Sequence, residues 1–349
     1  MDRVTDLCQY LNILNSFKRG HKKYETNNFL SLEDIGKLLA AQIVYFQAGP
    51  LYLNILVKRK EFSSLYFYTE SIRSLSIPKE IDNLVYELFG SESEVYPQAR
   101  GLAEKGLAIY DVYYRMTLNH SDFPKLEHGW NKPVHNTTNT SGDIVYNAIL
   151  KEFDVISDRI PSRDKFDEYL RNNHLILDID ELSGEITGFI IYSLNGMVSA
   201  IEYIVVFEKY RNKKIAKILL SQYLNHLKSS MRKFELWVNN RNFIAIKLYE
   251  DFNYKKDKII KCVLTDRSLF MKKKLLEALR RVNSEIGYNL NANFIQEGII
   301  DSFDIMNIVR ELETSFHIEL DAEDVIVENF ETFDAIEKMV LSKMINDGK

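Results

Sequence analysis

The stretch Arg211-Asn212-Lys213-Lys214-Ile215-Ala216 places three basic side chains directly after an apolar run and directly before an amphipathic pattern. The run, Ile201–Phe207, is short and rich in Ile and Val, as expected of a strand buried on both faces. From Ile215 the period changes: Ile215, Leu219, Tyr223 and Leu227 recur every four residues, with Ala216, Leu220 and Leu224 beside them, as on the buried face of a helix. A strand that passes through a basic turn into a helix leaves the N–H groups of the first helical turn unpaired and aimed at whatever lies above. Such a turn is an anion site. A carboxylate, Glu202, stands inside the same apolar run. Burial of an unpaired carboxylate is costly or raises its pKa, and a raised pKa suits a general base; a place at the strand end would instead leave it facing solvent.

The elements that position these groups are readable on both sides. Upstream, Tyr146, Ile149, Leu150 and Phe153 have helical spacing, and a second short helix is expected over Arg163–Asn172. Strands follow at Leu175–Ile179 and Ile186–Tyr192, around the turn Glu181–Glu185. Downstream, Leu236-Trp237-Val238 reads as a strand. Ala245, Leu248 and Phe252 mark a buried helix that Asn242 caps.

Val206 to Ala216 resembles the acetyl-CoA-binding motif of the GNAT superfamily of N-acetyltransferases, whose turn reads Arg/Gln-x-x-Gly-x-Gly/Ala. Leu236-Trp237-Val238, Asn242, Ala245, Leu248-Tyr249-Glu250 and Asp251-Phe252-Asn253-Tyr254 resemble the second signature of that family. The resemblance implies an α/β (α+β) fold with a mixed central sheet flanked by helices, and Ser268–Lys272 is expected as its closing strand. It assigns Val206, Arg211, Lys213, Lys214, Ala216 and Asn242 to the donor cofactor and Tyr249 to protonation of the leaving thiolate; Glu202, on the central strand, is the carboxylate best placed to act as the base. Lys214 stands where the family has its central Gly, which restricts backbone approach to a pyrophosphate but supplies charge. The implied chemistry is attack of a neutral amine on a thioester, which needs a base, oxyanion donors and an acid.

With 349 residues, 46% of them hydrophobic, the chain has material for two or three packed domains. Only Cys8 and Cys262 occur, and the first residues lack an apolar signal segment, so a reducing cytoplasm is expected, with no membrane span. No nucleic-acid-binding module is recognisable in a chain of net charge −5. Residues 1–120 read as an N-terminal accessory domain: helices at Leu7–Phe17 and Leu32–Phe46, a hairpin of Tyr52–Val57 and Leu65–Thr69, and a helical stripe of Ile81, Leu84, Val85 and Leu88 ended by Gly90. Either a degenerate copy of the acetyltransferase fold or a helical accessory domain fits that order. Residues 121–143 are polar and punctuated by Pro and Gly, as a linker would be; His120, His128 and His135 are expected to be solvated there, with no metal. The transferase domain is expected over 144–272 and a last domain over 273–349.

That last domain is the acidic part of the molecule. Glu285–Lys349 holds 15 acidic and 4 basic residues, a net −11 that leaves the rest of the chain at +6. A helix is expected over Lys274–Glu285, with Leu275, Leu276, Leu279 and Val282 on one side. Gly298-Ile299-Ile300-Asp301-Ser302-Phe303, then Met306, Val309, Leu312 and Phe316, and Glu328-Asn329-Phe330 resemble an acyl carrier protein. The resemblance implies a four-helix bundle, with 4′-phosphopantetheine attached to Ser302 by a phosphopantetheinyl transferase. Asp301, Asp304, Glu311 and Glu313 would form the acidic face that docks on the transferase domain within the chain. A carrier fused to its transferase raises the effective concentration of the thioester to about the mM range.

Two activities follow. In the first, an acyl group passes from the carrier thioester, charged by an acyl-activating ligase, or from acyl-CoA, to an amine of a small molecule, sugar or peptide intermediate. In the second, as in polyketide loading units, it passes from CoA to the carrier's own thiol. A catalytically silent docking scaffold is the non-enzymatic alternative.

Overall fold

The computed structural model describes residues 1–124, 139–286 and 291–346. His128, His135 and most of the expected linker lie outside the described residues. The chain divides into two compact units, Met1–Leu264 and Thr265–Lys349.

The larger unit is one twelve-stranded sheet with helices on both faces. Its strands are β1 (Asp2–Arg3), β2 (Glu25–Thr26), β3 (Val44–Gly49), β4 (Tyr52–Lys58), β5 (Ser63–Thr69), β6 (Leu84–Ser91), β7 (Ala108–Asn119), β8 (Leu175–Ile179), β9 (Ile186–Asn195), β10 (Val198–Val206), β11 (Lys233–Asn239) and β12 (Lys255–Thr265). Its helices are α1 (Leu7–Gly20), α2 (Leu32–Ala40), α3 (Glu92–Ala103), α4 (Asn139–Glu152), α5 (Arg163–Arg171), α6 (Ile215–Leu227) and α7 (Phe243–Asp251). The strand order is β1-β3-β4-β5-β6-β12-β7-β11-β10-β9-β8, with β2 added on β5.

Two helices, three strands, then strand, helix, strand: this order occurs twice, in α1–β7 and in α4–β12, and the second occurrence adds α6 before its fourth strand. The last strand of each half crosses over, so that β12 lies beside β6 and β7 beside β11. This exchange explains why no boundary at residues 121–143 separates two compact units: each half-sheet is completed by the other.

Side-chain alternation sorts the helices. Leu56, Leu65, Phe67 and Tyr86 pack with Val95, Ala99 and Leu102 of α3, and Met116, Ile201, Phe234 and Leu236 pack with α6 and α7. Tyr114 touches both clusters, so α3, α6 and α7 share one face of the sheet. The opposite face carries α1 and α2 over Leu53, Ile55 and Tyr66, and α4 and α5 over Leu175, Phe189 and Tyr203.

Several elements differ from expectation. Leu84–Ser91 is a strand, not a helix: Leu84, Val85, Tyr86 and Leu88 are all buried, and a strand covered on both faces loses the alternation that identifies it. The helix from Leu32 stops at Ala40, where Gln42 takes a left-handed φ of 61°, and Val44–Gly49 is a strand. Strand β10 alternates between buried and less buried positions rather than hiding both faces, and Leu150 of α4 is 50% exposed while Val145, Ala148 and Ile149 form the buried stripe. Ser268–Lys272 belongs to a helix, because Asp266 accepts a hydrogen bond from the Leu269 N–H at 3.0 Å and caps it.

The smaller unit contains α8 (Arg267–Val282), α9 (Ser302–Phe316), a 3-10 turn at Val327–Asn329 and α10 (Phe333–Asn346). Its core joins Leu275, Ala278 and Leu279 to Ile308, Leu312, Phe316, Phe330 and Ile336. Its described residues thus hold three α-helices and one short 3-10 turn where a four-helix bundle was expected. Among the described residues of the chain, no helix is long and apolar enough to cross a membrane.

Candidate active site

Strand β10 pairs with β9 from Val198 to Val206, with a register shift between Ile201 and Tyr203 that makes Glu202 the bulged residue. On its other edge it runs parallel to β11 only from Val198↔Lys233 to Ile201↔Leu236. Past that point Glu202–Val206 and Trp237–Asn239 diverge, so the edge of β10 that faces β11 keeps backbone groups without a strand partner. At the open end Gly188 permits the close approach of β9 and β10. A Cβ there would meet the Val205 carbonyl oxygen at 2.5 Å.

The basic turn lies beyond the open end of β10. A 3-10 turn at Glu208–Tyr210 is followed by two left-handed residues, Asn212 and Lys214, each at φ 63°. Lys214 is the N-cap of α6, without a side-chain capping bond. The N–H groups of Lys217 and Ile218 donate to its carbonyl, which leaves those of Ile215 and Ala216 ahead of the first intrahelical bonds. Lys213 and Lys214 are exposed; Lys213 Nζ lies 5.1 Å from the centre of the Tyr210 ring. Arg211 is held back along the strand, donating to Glu152 at 3.0 Å and to the Val206 carbonyl at 3.3 Å.

Tyr249 packs in the same apolar cluster as Ile201, Leu236 and Val238, where the strands part. Burial pushes its phenol well above the usual tyrosine range, so it stays protonated at working pH. Asn242 caps α7, its side chain accepting from the Ala245 N–H at 3.1 Å. Glu202 is exposed rather than buried: the bulge turns it out of the apolar run, and Ser193 Oγ donates to it at 2.5 Å. Ile201 and Tyr249 belong to the α6–α7 face, whereas Tyr203 packs with α4 and α5. The Glu202 side chain, bonded to Ser193, belongs to the latter face, so Glu202 and Tyr249 flank the opening from opposite sides of the sheet.

In the smaller unit Ser302 is the first residue of α9 and is exposed. Asp301, not Ser302, caps the helix, accepting from Phe303 N at 2.8 Å and Asp304 N at 2.9 Å. The expected acidic face is largely engaged within the unit. Asp304 completes the capping box, Glu311 pairs with Arg281 at 2.7 Å, and Glu313 accepts from Leu320 N at 3.1 Å.

Sequence reasoning missed Arg159. It lies between α4 and α5 at a left-handed φ of 52°, its carbonyl accepting from Tyr203 OH at 2.8 Å and its guanidinium gripping Glu87 of β6 at 2.9 and 3.2 Å. Nothing in a linear pattern joins residues 72 positions apart. Among the described residues no group of three or more His, Cys, Asp or Glu side chains could hold a metal ion.

A profile of the Acetyltransferase (GNAT) family matches residues 143–254. Similar solved structures include a GCN5-related N-acetyltransferase from Sphaerobacter thermophilus, at 17% identity over 68% of this chain and 86% of that one, TM-score 0.47. A GCN5-related N-acetyltransferase from Kribbella flavida has 12% identity over 65% of this chain and 91% of that one, TM-score 0.41. A tandem GNAT protein from the clavulanic acid biosynthesis pathway has 11% identity over 64% and 83%, TM-score 0.43. No curated protein matches the chain. Residues 143–254, with their parted strands and basic turn into α6, are a GNAT acetyltransferase domain.

Proposed function

We propose that the parted strands β10 and β11 hold an acyl thioester and that the chain transfers its acyl group to an amine. The observation that carries this reading is the opening between β10 and β11 beside the first turn of α6. The diphosphate of coenzyme A would take the N–H groups of Ile215 and Ala216 together with Lys213 and Lys214, with Arg211 and Asn242 at the margins. Val206, at the end of β10, would offer its free edge to the pantetheine arm.

Glu202 would accept one proton from the incoming ammonium on the α4–α5 face. The nitrogen lone pair then forms the C–N bond at the thioester carbonyl, and the unpaired edge of β10 offers N–H donors to the oxyanion. Collapse breaks the C–S bond, and Tyr249 gives its proton to the thiolate on the α6–α7 face. The proton shed by the new amide nitrogen restores the phenol, and the exposed Glu202 carboxyl gives its proton up to solvent. Thiol release from acetyl-CoA, measured against a panel of amines, tests this. Transfer that needs Tyr249 supports it, and failure to bind acetyl-CoA in calorimetry overturns it.

The exposed Ser302, freed from capping by Asp301, favours a second reading of the smaller unit as an acyl carrier. Its serine would bear 4′-phosphopantetheine, with the helix dipole of α9 favouring the phosphate. That arm would either donate to the amine or be loaded from acyl-CoA. The intact mass after treatment with a phosphopantetheinyl transferase decides: an adduct absent in Ser302→Ala supports the carrier, and no adduct on the parent removes it. Acylation of the arm from acyl-CoA alone would select loading over amine transfer. The first half-sheet is proposed as a degenerate copy of the second.

A further inference from the structure

On the face of the sheet that carries Glu202, an aromatic row crosses from one half-sheet to the other. Phe29 meets Phe89 of β6 edge-on at 4.5 Å, and Phe89 meets Trp237 of β11 edge-on at 5.6 Å. Phe29 is 40% and Trp237 37% exposed, so the row presents ring surface to solvent. Glu202 and Trp237 are the residues that follow Ile201 and Leu236, the last pair of the β10–β11 ladder, at the point where the strands part. Arg159 fixes the row from above, its guanidinium 4.9 Å from the Phe29 ring and 5.2 Å from the Phe89 ring while both nitrogens of its fork hold Glu87. Glu202 is exposed, accepts from Ser193 Oγ at 2.5 Å, and lies within electrostatic reach of the Arg159 guanidinium that Glu87 holds.

From this arrangement we infer that the row is the acceptor subsite and that it takes a primary amine attached to an aromatic ring. Ring faces at Phe29 and Trp237 offer stacking and edge contacts to a flat apolar group. The carboxylate at the inner end attracts the ammonium and holds its nitrogen at the mouth of the opening. A sugar amine or a polyamine would leave the ring surface uncovered and gain only the charge contact. The subsite rests on the acyl-transfer reading for its purpose but not for its binding. It also gives the first half-sheet a role, since Phe29, Phe89 and Glu87 all come from there.

The test uses the full chain, with phenethylamine, glucosamine and spermidine titrated calorimetrically and then assayed with acetyl-CoA. Phenethylamine is expected to bind at least about tenfold more tightly than the other two, the range that one or two aromatic contacts supply. Trp237→Leu should raise KM for phenethylamine about tenfold while leaving KM for acetyl-CoA unchanged and kcat within about twofold. Phe29→Leu, at a more exposed position, gives the same readout if Trp237→Leu folds poorly by circular dichroism. Equal binding of the three amines, or variants with an unchanged amine KM, overturns the subsite. Phenethylamine binding that depends on Trp237 without any acyl transfer keeps the subsite and removes the transferase reading. Transfer to glucosamine or spermidine in preference does the reverse.

Discussion

The two half-sheets repeat one topology and treat its central gap in opposite ways. In both, the third and fourth strands run parallel briefly and then part: β5 and β6 pair only at Ser63↔Leu84 and Ser64↔Val85, and β10 and β11 over four residues each. In the second half the gap stays open. In the first it is filled by the chain itself. Strand β2 pairs with Tyr68 and Thr69, and the Asn27 side chain donates to the Leu65 carbonyl at 3.0 Å and accepts from Phe67 N at 2.7 Å. The helix that should follow is also missing: a three-residue 3-10 turn at Ile72–Ser74 stands where the second half has the thirteen-residue α6. Without a helix N-terminus there is no first-turn anion site, and with Asn27 on the strand edge there is no free backbone for a ligand. A shared topology therefore keeps the strand gap and the first-turn anion site in the second half only, and fills the gap with the chain itself in the first.

The largest effect should come from Tyr249→Phe. If Tyr249 protonates the thiolate, kcat falls roughly 10²–10³-fold with little change in KM, the range of one general acid. Unchanged turnover would remove the acid role and with it the main distinction between the halves. The same residue sets a pH dependence. Its folded-state pKa is raised by burial from the ordinary 10.0, so its contribution to stability is intact below pH 10 and is lost as pH rises further. Tyr249→Phe should accordingly unfold less steeply above pH 10 than the parent in a fluorescence titration.

Gly188→Ala should come next. Its Cβ would press on the Val205 carbonyl at 2.5 Å and on Leu219 Cδ1 at 3.0 Å, and a backbone contact cannot be relieved by a rotamer change. Overpacking of this kind costs about 1–3 kcal/mol and should displace the free edge of β10. Urea unfolding and acetyl-CoA KM should both worsen; a stability loss with an intact KM would detach the β9–β10 approach from donor binding.

Asn27→Ala probes the filled gap. It leaves the Leu65 carbonyl and the Phe67 N–H without their partner in a buried position, at about 2 kcal/mol. Stability should fall by that amount in urea unfolding while kcat stays unchanged. A second acetyl-CoA equivalent bound by the variant in calorimetry would show that the first gap is merely plugged and not degenerate.

Why the second half was legible and the first was not follows from the same difference. The change of period at Ile215 and the Asn242 cap are local signals, and the structure keeps both. Strand β6 carries a helix-like pattern because a strand interior to a wide sheet is apolar on both sides, and Leu84, Val85 and Leu88 then fit helical spacing. The bulge that exposes Glu202 depends on pairing with β9, and the exchange of β7 and β12 depends on contacts more than a hundred residues apart, such as Arg115 with Asp257. The β2–Asn27 plug was invisible for the same reason. At Ser268–Lys272 the deciding signal is local: Asp266 caps a helix there, and β12 already lies where a closing strand was expected.

The smallest effect should fall on the turn itself. Lys214 adopts φ 63° and ψ 10°, a left-handed conformation that costs a side-chain-bearing residue about 1 kcal/mol relative to Gly. Lys214→Gly should therefore raise stability by about that amount, provided the loss of chain entropy on fixing Gly is the smaller term. Its effect on the donor separates two ways of holding a phosphate. If backbone approach dominates, KM for acetyl-CoA falls and its salt dependence weakens; if the ammonium dominates, KM rises and the stability gain remains. A variant that loses stability would mean the left-handed residue is held by lysine contacts, and the turn would no longer stand as the open counterpart of the segment after β5.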